Sequence, residues 1–557
     1  MRIDTILSNA RITTLDPERP TASAIGILNG RVVGFDEELH GVAADERIDL
    51  GGAPVVPGFN DAHLHFSMLG KEQVQLDLAF ERAPSLDALY ARVEAWAEAK
   101  PEGAWIIGNG YDQNKIGAHP DRAVLDRIAG GRPVYLVHNS NHMAVANTEA
   151  FHRAGHADPD ALEAPAGGSL GRDGGRVTGL LQEQAMQLVS HVLKPVPQEE
   201  LVAALAAASE WALRNGVTSV TEPGIGGTLI GHGPADVRAF QLARERGLLR
   251  TRVTLMPYID AIHDLGPLGD GVDGWGVDLG IRSGLGDEWL RIGPIKVVSD
   301  GSLIGRTAAM CCDYADTPGN AGYLQWQAEE IRRFILRGHE NGWQLATHAI
   351  GDGALDVVLD AYEEAQRRMP RPGARHRIEH VGVASDEQVR RIVAGGLVPV
   401  PQGRFVSALG DGFVAALGAD RVELAYRMRS FVDAGVELPG STDAPVVPGE
   451  PLISLHDMVN RRSASGAPIG LHEALTPAQA LRAYTIGSAY AVHEEHRKGA
   501  LSRGKLADLV VLSDDPLQVA PERIRELGVA ATMVGGVFGF DAAGELAAAE
   551  PARAPAA

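Results

Sequence analysis

The stretch Val55-Val56-Pro57-Gly58-Phe59-Asn60-Asp61-Ala62-His63-Leu64-His65 holds the most informative pair of side chains in the chain. Residues two apart on a strand point to one face, so His63 and His65 are placed to hold one metal ion together. The pattern alone is weak. With 19 histidines in 557 residues, about 0.6 such pairs arise by chance. Position is what raises its value: the pair closes a β-prone run, and barrel enzymes place their chemistry at strand ends. Four further residues occupy the same kind of place. Lys296 lies in the run 290–298, His348 ends 343–348, His380 ends 375–380 and Asp443 ends 436–443. Singly each has an ordinary reading, a hydrogen-bonded core histidine or a surface lysine in an ion pair. Jointly, at the ends of separate strands, they converge on one axis.

The elements that must position them repeat. A helical stretch at 197–215 is stopped by Gly216 and followed by the strand-like 217–222. The same order returns at 329–341, Gly342 and 343–348, then at 386–394, Gly395-Gly396 and 397–401. A fourth copy passes through Ala434-Gly435 into 436–443. Glycine is favoured just past a helix because it takes the left-handed conformation without a Cβ penalty. Helix–Gly–strand repetition indicates a parallel sheet, and the number of repeats favours a closed barrel over an open sheet.

Both chain ends read differently. The β-prone runs 24–28 and 31–35 flank Asn29-Gly30, a type I′ hairpin signal, and 532–534 meets 537–539 across Gly535-Gly536. With 507–512 also β-prone, the two ends are expected to form one small sheet domain, 1–57 with 498–541, around a barrel at 58–497. Between the first barrel strand and the strand at 217 lie far more residues than a βα unit needs. This insertion, about 66–195, contains the polar, turn-rich segments 108–112 and 167–179 and reads as a lid or specificity subdomain. His142, in Asn139-Ser140-Asn141-His142, falls within it and is a candidate substrate contact. The Ala/Pro/Glu-rich tail 542–557 is expected to be disordered.

Together these stretches resemble the amidohydrolase superfamily, and within it the amidohydrolase family 3 branch that includes N-substituted formamide deformylase. The resemblance is carried by 57–65, by Lys296-Val297-Val298-Ser299-Asp300-Gly301-Ser302, by His348-Ala349-Ile350-Gly351-Asp352, by His376-Arg377-Ile378-Glu379-His380, by Ser441-Thr442-Asp443-Ala444-Pro445 and by Gly504-Lys505-Leu506-Ala507-Asp508-Leu509. It implies a distorted (β/α)8 TIM-type barrel with a small β-sandwich made from both ends, and one or two divalent ions per chain, zinc first. By the resemblance, His63, His65 and Asp443 hold one ion, His348 and His380 the other, and Lys296 bridges them as a carbamate. The implied reaction is hydrolysis of a C–N, amide-type bond of a small molecule by an activated water, with Asp443 as general base. A deaminase of the same superfamily is the rival enzyme. Its mononuclear members use a Glu shortly after the third histidine, whereas Ala349-Ile350-Gly351-Asp352 follows His348. A catalytically silent small-molecule-binding protein on the same scaffold is the alternative outside enzymes.

Composition narrows the partners. A formal charge of −21 with no basic run repels phosphate backbones and anionic lipid. Nucleic acid and membrane are therefore not expected, while self-association stays open. The two cysteines, Cys311 and Cys312, are adjacent, so no disulfide framework is expected. With no signal-peptide pattern and no long apolar run, the chain reads as cytoplasmic.

Overall fold

The structure is a computed structural model that describes residues 2–138, 143–165, 168–227, 230–269, 271 and 273–544. It divides into two compact units, one comprising 1–66 and 209–557, the other 67–208.

In the first unit both chain ends join one eight-stranded sheet. Its order runs Val537–Asp541, Val529–Val534, Leu509–Leu512, Ala43–Pro57, Arg2–Asp16, Ile25–Leu28, Arg31–Phe35, with Arg19–Ala22 added to Arg2–Asp16. Asn29 and Gly30 both have positive φ, 51° and 71°, as a type I′ turn requires, and Leu28 pairs Arg31 across it. Leu7, Ile12, Ile25, Val32, Leu509, Val511 and Met533 bury their side chains in a core of this sheet's own.

Parallel strands carry the centre of the unit, with an antiparallel hairpin, His263–Pro267 with Asp273–Gly276, beside them in sequence. Val217–Ile225 pairs Phe59–Asp61 on one side and Arg252–Pro257 on the other. Ile295–Val298, Leu345–Ala349, Arg377–His380 and Val398–Val400 follow as a second parallel set. A parallel bridge from Tyr258 to Lys296 links the sets, and another joins Gln402 to Ser441. The succession returns to its start: Ala62 N–H donates to the Gly440 carbonyl at 3.0 Å, and Asp443 N–H to the His63 carbonyl at 2.7 Å. All nine residues of Val217–Ile225 are buried, as befits a parallel strand covered on both faces.

Local chemistry explains the helices between the strands. Asp386–Ala394 opens on a reciprocal cap in which Gln388 N–H donates to Ser385 Oγ and Ser385 N–H to Gln388 Oε1. Ala328–Glu340 has Glu329 and Glu330 in its first turn and Arg337 and His339 in its last, matching the helix dipole. Gly216, Gly342, Gly396 and Gly435 all take positive φ, between 60° and 82°, where each helix gives way to the next segment.

Three expectations change. The run 290–298 is two strands, Leu290–Ile292 and Ile295–Val298, paired to different neighbours, because Pro294 lacks an N–H and interrupts the ladder after Gly293. The run 436–443 is irregular apart from the Ser441 bridge: Pro439 lacks a donor, and Asp443 has φ 61°. In the second unit, 106–111 is a strand rather than a turn, and 168–173 with 176–183 forms a hairpin about Gly174-Gly175. That unit is built on a six-stranded sheet ordered Gly168–Asp173, Arg176–Glu183, Met143–Ala146, Val134–His138, Ile106–Tyr111, Leu76–Asp77, with Leu89, Val93, Leu125 and Leu136 in its core. His142 and the tail from 545 lie outside the described residues. No helix among the described residues is long and apolar enough to cross a membrane.

Candidate metal centre

The parallel strand Phe59–Asp61 ends at Asp61, and His63 and His65 follow in a bend rather than on the strand itself. The neighbouring segments hold that bend. Leu64 N–H donates to Thr221 O, and His65 N–H donates to Ala444 O at 2.8 Å. Asp61 accepts from His63 N–H and from Thr442 N–H and Oγ1, so one buried carboxyl ties the histidine bend to the segment bearing Asp443. Burial raises the Asp61 carboxyl to about 7, against the lowering effect of Thr442.

His63, His380 and Asp443 each present a ligand atom, all within 4.8 Å of one another. Asp443 Oδ1 lies 3.3 Å from His63 Nε2 and 3.2 Å from His65 Nε2. The His348 and His380 rings are 4.5 Å apart, centroid to centroid, and the His63 and His380 rings 5.1 Å. His65 is buried, His380 and Asp443 likewise, and Lys296 is almost wholly enclosed.

Each of three imidazoles is held from behind through Nδ1. His63 Nδ1 donates to the Glu379 carboxylate, His348 Nδ1 to Asp300 Oδ1 at 2.9 Å, and His380 Nδ1 to Gln402 Oε1 at 2.7 Å. The acceptors are themselves fixed. Glu379 is clamped by Arg377 through Nε at 2.8 Å and Nη2 at 2.9 Å. Asp300 takes the N–H groups of Ala309, Ile350 and Gly351. Gln402 spends its amide N–H groups on Val400 O and Ser441 Oγ, which turns its oxygen towards His380. A proton held at Nδ1 leaves the Nε2 lone pair free, the arrangement of metal-binding histidines.

Electrostatics agree with that state. Burial lowers the pKa of His65, and burial together with His348 lowers that of His380 well below the usual range, so both rings are neutral donors. Burial would raise the Asp443 carboxyl, but the electrostatic pull of His63 outweighs it and holds the group ionised. Glu379 is likewise held below the carboxylate range, burial being overcome by Arg377 and His63. Burial brings the Lys296 amine down to about 8, with Glu379 and Asp443 opposing.

The donor set fits a divalent ion. Asp443 Oδ1 and His65 Nδ1 are buried and make no hydrogen bond, even though imidazole nitrogens stand close to the carboxylate. A buried carboxylate oxygen with no hydrogen bond, 3.2–3.3 Å from the Nε2 atoms of His65 and His63, suits a shared cation. The sequence pointed to His63, His65, His348, His380, Lys296 and Asp443, and all lie in the first unit around this centre. It gave no role to Asp300, Glu379, Gln402 or Asp61, although Asp61, Asp300 and Glu379 stand inside the motif stretches quoted for their neighbours.

The amidohydrolase family description matches residues 46–539. The chain belongs to the amidohydrolase family. It is 29% identical to the N-substituted formamide deformylase of Arthrobacter pascens over 97% of this chain and 99% of that one. It is 31% identical to the protein LONG AFTER FAR-RED 3 of Arabidopsis thaliana over 96% and 91%. A metal-dependent hydrolase from Pyrococcus furiosus of uncharacterized activity superposes with a TM-score of 0.75 at 30% identity, covering 92% of this chain and all of that one. With the donor set above, family membership makes this amidohydrolase a metal-dependent hydrolase that uses a divalent ion.

Proposed function

We propose that this amidohydrolase cleaves the C–N bond of a small amide-type substrate, with Asp443 as general base. One observation carries the reading: an ionised, buried Asp443 carboxylate with an unbonded oxygen lies 3.3 Å from Nε2 of His63, whose Nδ1 is engaged by Glu379, and beside His380, whose Nδ1 is engaged by Gln402. The name of the Arthrobacter relative supports an amide-type bond, since N-substituted formamides are that protein's substrates. We also infer that the ring of parallel strands is the distorted (β/α)8 barrel of the family, and that the sheet of both chain ends is its β-sandwich.

His63, His65 and Asp443 would hold one ion, zinc first by ligand type, and His348 and His380 a second, with Lys296 as a carbamate between them. A bound divalent ion lowers the pKa of water towards neutrality and polarises a carbonyl oxygen. The chain's own part is proton transfer and positioning. As the water oxygen adds to the carbonyl carbon, Asp443 accepts its proton. The same proton passes to the amide nitrogen as the C–N bond breaks, giving a carboxylic acid and an amine. Asp443 N–H is tied to the His63 carbonyl at 2.7 Å, which keeps the carboxylate in place through both steps.

Asp443→Asn keeps the side chain's shape and removes the base. The expected result is a fall in kcat of at least about a hundredfold with substantial metal retained. A metal-loaded Asp443→Asn enzyme within about fivefold of wild type would place the base elsewhere.

A further inference from the structure

Away from this centre, the two cysteines stand side by side on the surface. Cys311 and Cys312 are both free and exposed, and their sulfurs are 3.5 Å apart. Adjacent residues in an extended chain point their side chains to opposite faces, so bringing both sulfurs together needs a backbone held in a particular bend. The bend is held from several sides. Cys311 N–H donates to Asp352 Oδ1 at 2.8 Å, and Met310 N–H donates to Ala321 O at 2.8 Å. One residue earlier, Ala309 O accepts from Ala354 N–H, and Ala309 N–H donates to Asp300. Beyond the pair, Arg421 Nη2 donates to Asp313 O, and its Nη1 lies 3.0 Å from Cys312 Sγ.

We propose that Cys311 and Cys312 form a preorganised dithiol site for trivalent arsenic, separate from the histidine–aspartate centre. Soft sulfur pairs select soft, thiophilic centres over hard ones. Two sulfurs 3.5 Å apart, each at a sulfur-to-ion distance of roughly 2.3 Å, subtend about 100° at the bound atom. That bite suits the pyramidal geometry of trivalent arsenic. Because the fold already fixes the bend, chelation does not have to order it. Arg421 Nη1 stands beside Cys312 Sγ, and Cys312 attacks first because partial burial and Asp352 push the Cys311 thiol up, so that its proton leaves as the second bond forms. The reaction is an exchange without oxidation. Two arsenic–sulfur bonds form, two arsenic–oxygen bonds break, and the thiol protons leave with the oxygen as water. Zinc is a poorer fit, because its structural sites use four protein ligands and this one supplies two sulfurs.

The chain contains two cysteines in all, which makes the test clean. Phenylarsine oxide is titrated into the metal-loaded, reduced protein while free thiols are counted and the intact mass is followed. The expected result is one arsenical per chain, loss of both reactive thiols together, and resistance to an excess of monothiol but release by a dithiol. Cys311→Ser and Cys312→Ser should each weaken retention at least tenfold and make the bound arsenical removable by monothiol. Two thiols still reactive after an equimolar addition, or single variants that hold the arsenical as firmly as wild type, would overturn the proposal.

Discussion

Three imidazoles at the metal centre present the same nitrogen to it, and each does so because a different acceptor holds the other. His380 depends on Gln402, whose orientation is set by two further hydrogen bonds. Replacing Gln402 with Leu removes the acceptor at similar volume and releases the His380 tautomer. The expected cost is about 10–100-fold in metal affinity, read by competition with a chelator, while Gln402→Glu, which still accepts, retains more. Unchanged affinity in folded Gln402→Leu would show that His380 needs no such support. Lys296 carries a second expectation at this scale. A buried amine brought down to about 8 has a useful neutral fraction near pH 7, and the neutral amine captures carbon dioxide. Protein equilibrated with carbon-13-labelled bicarbonate should show a carbamate resonance that Lys296→Ala lacks, and that variant should lose one ion and most activity. A wild type without the resonance would leave Lys296 an amine and the centre mononuclear. The ligand candidates could be picked out in the sequence because histidines and an aspartate at or just past β-prone runs form a local pattern, even where the strand itself did not reach them. Their supports could not, since His63 meets Glu379 across 316 positions of chain, and only folding brings such pairs together.

At the scale of elements, the cadence of helix, glycine and strand could be read because each part is a local matter of caps, apolar spacing and backbone angle. It failed where a backbone donor was missing: Pro294 split one expected strand and Pro439 helped to dissolve another. The same elements carry a buried histidine pair, of which His376 stands in a quoted motif and His339 in none. His339 Nδ1 lies 2.8 Å from His376 Nε2, while Leu345 N–H donates to His376 Nδ1 and His339 Nε2 donates to the Met369 carbonyl. His376 must therefore donate to His339, and both rings are neutral. Burial holds the pKa of each below its ordinary value, with His339 and Arg371 adding to the effect on His376. The unfolded chain then binds protons that the folded one refuses. Stability is full above the unfolded histidine pKa of about 6.5 and falls as pH drops below it, by up to about 1.4 kcal/mol per pH unit for each group. His376→Gln should show a shallower loss of unfolding midpoint between pH 7 and pH 5 than wild type, whatever its stability at pH 7. Parallel pH dependences would remove the pair from the acid response.

Over the whole molecule, the first unit closes a metal centre with residues drawn from the bend at 62–65 to the segment at 440–444, and the two chain ends meet in one sheet beside it. Of the second unit, 67–208, only an excess of chain at about 66–195 was legible. Its six-stranded sheet was not, because its glycine-rich strands read as turns in isolation. The central claim is that this centre holds a divalent ion on which hydrolysis depends. Elemental analysis of the purified protein, paired with hydrolysis of an N-substituted formamide before and after chelation, tests it most directly. The protein should carry close to one or two divalent ions per chain, zinc foremost, with activity lost on removal and restored when the ion is returned. Less than about a tenth of an ion per chain with activity intact would contradict it.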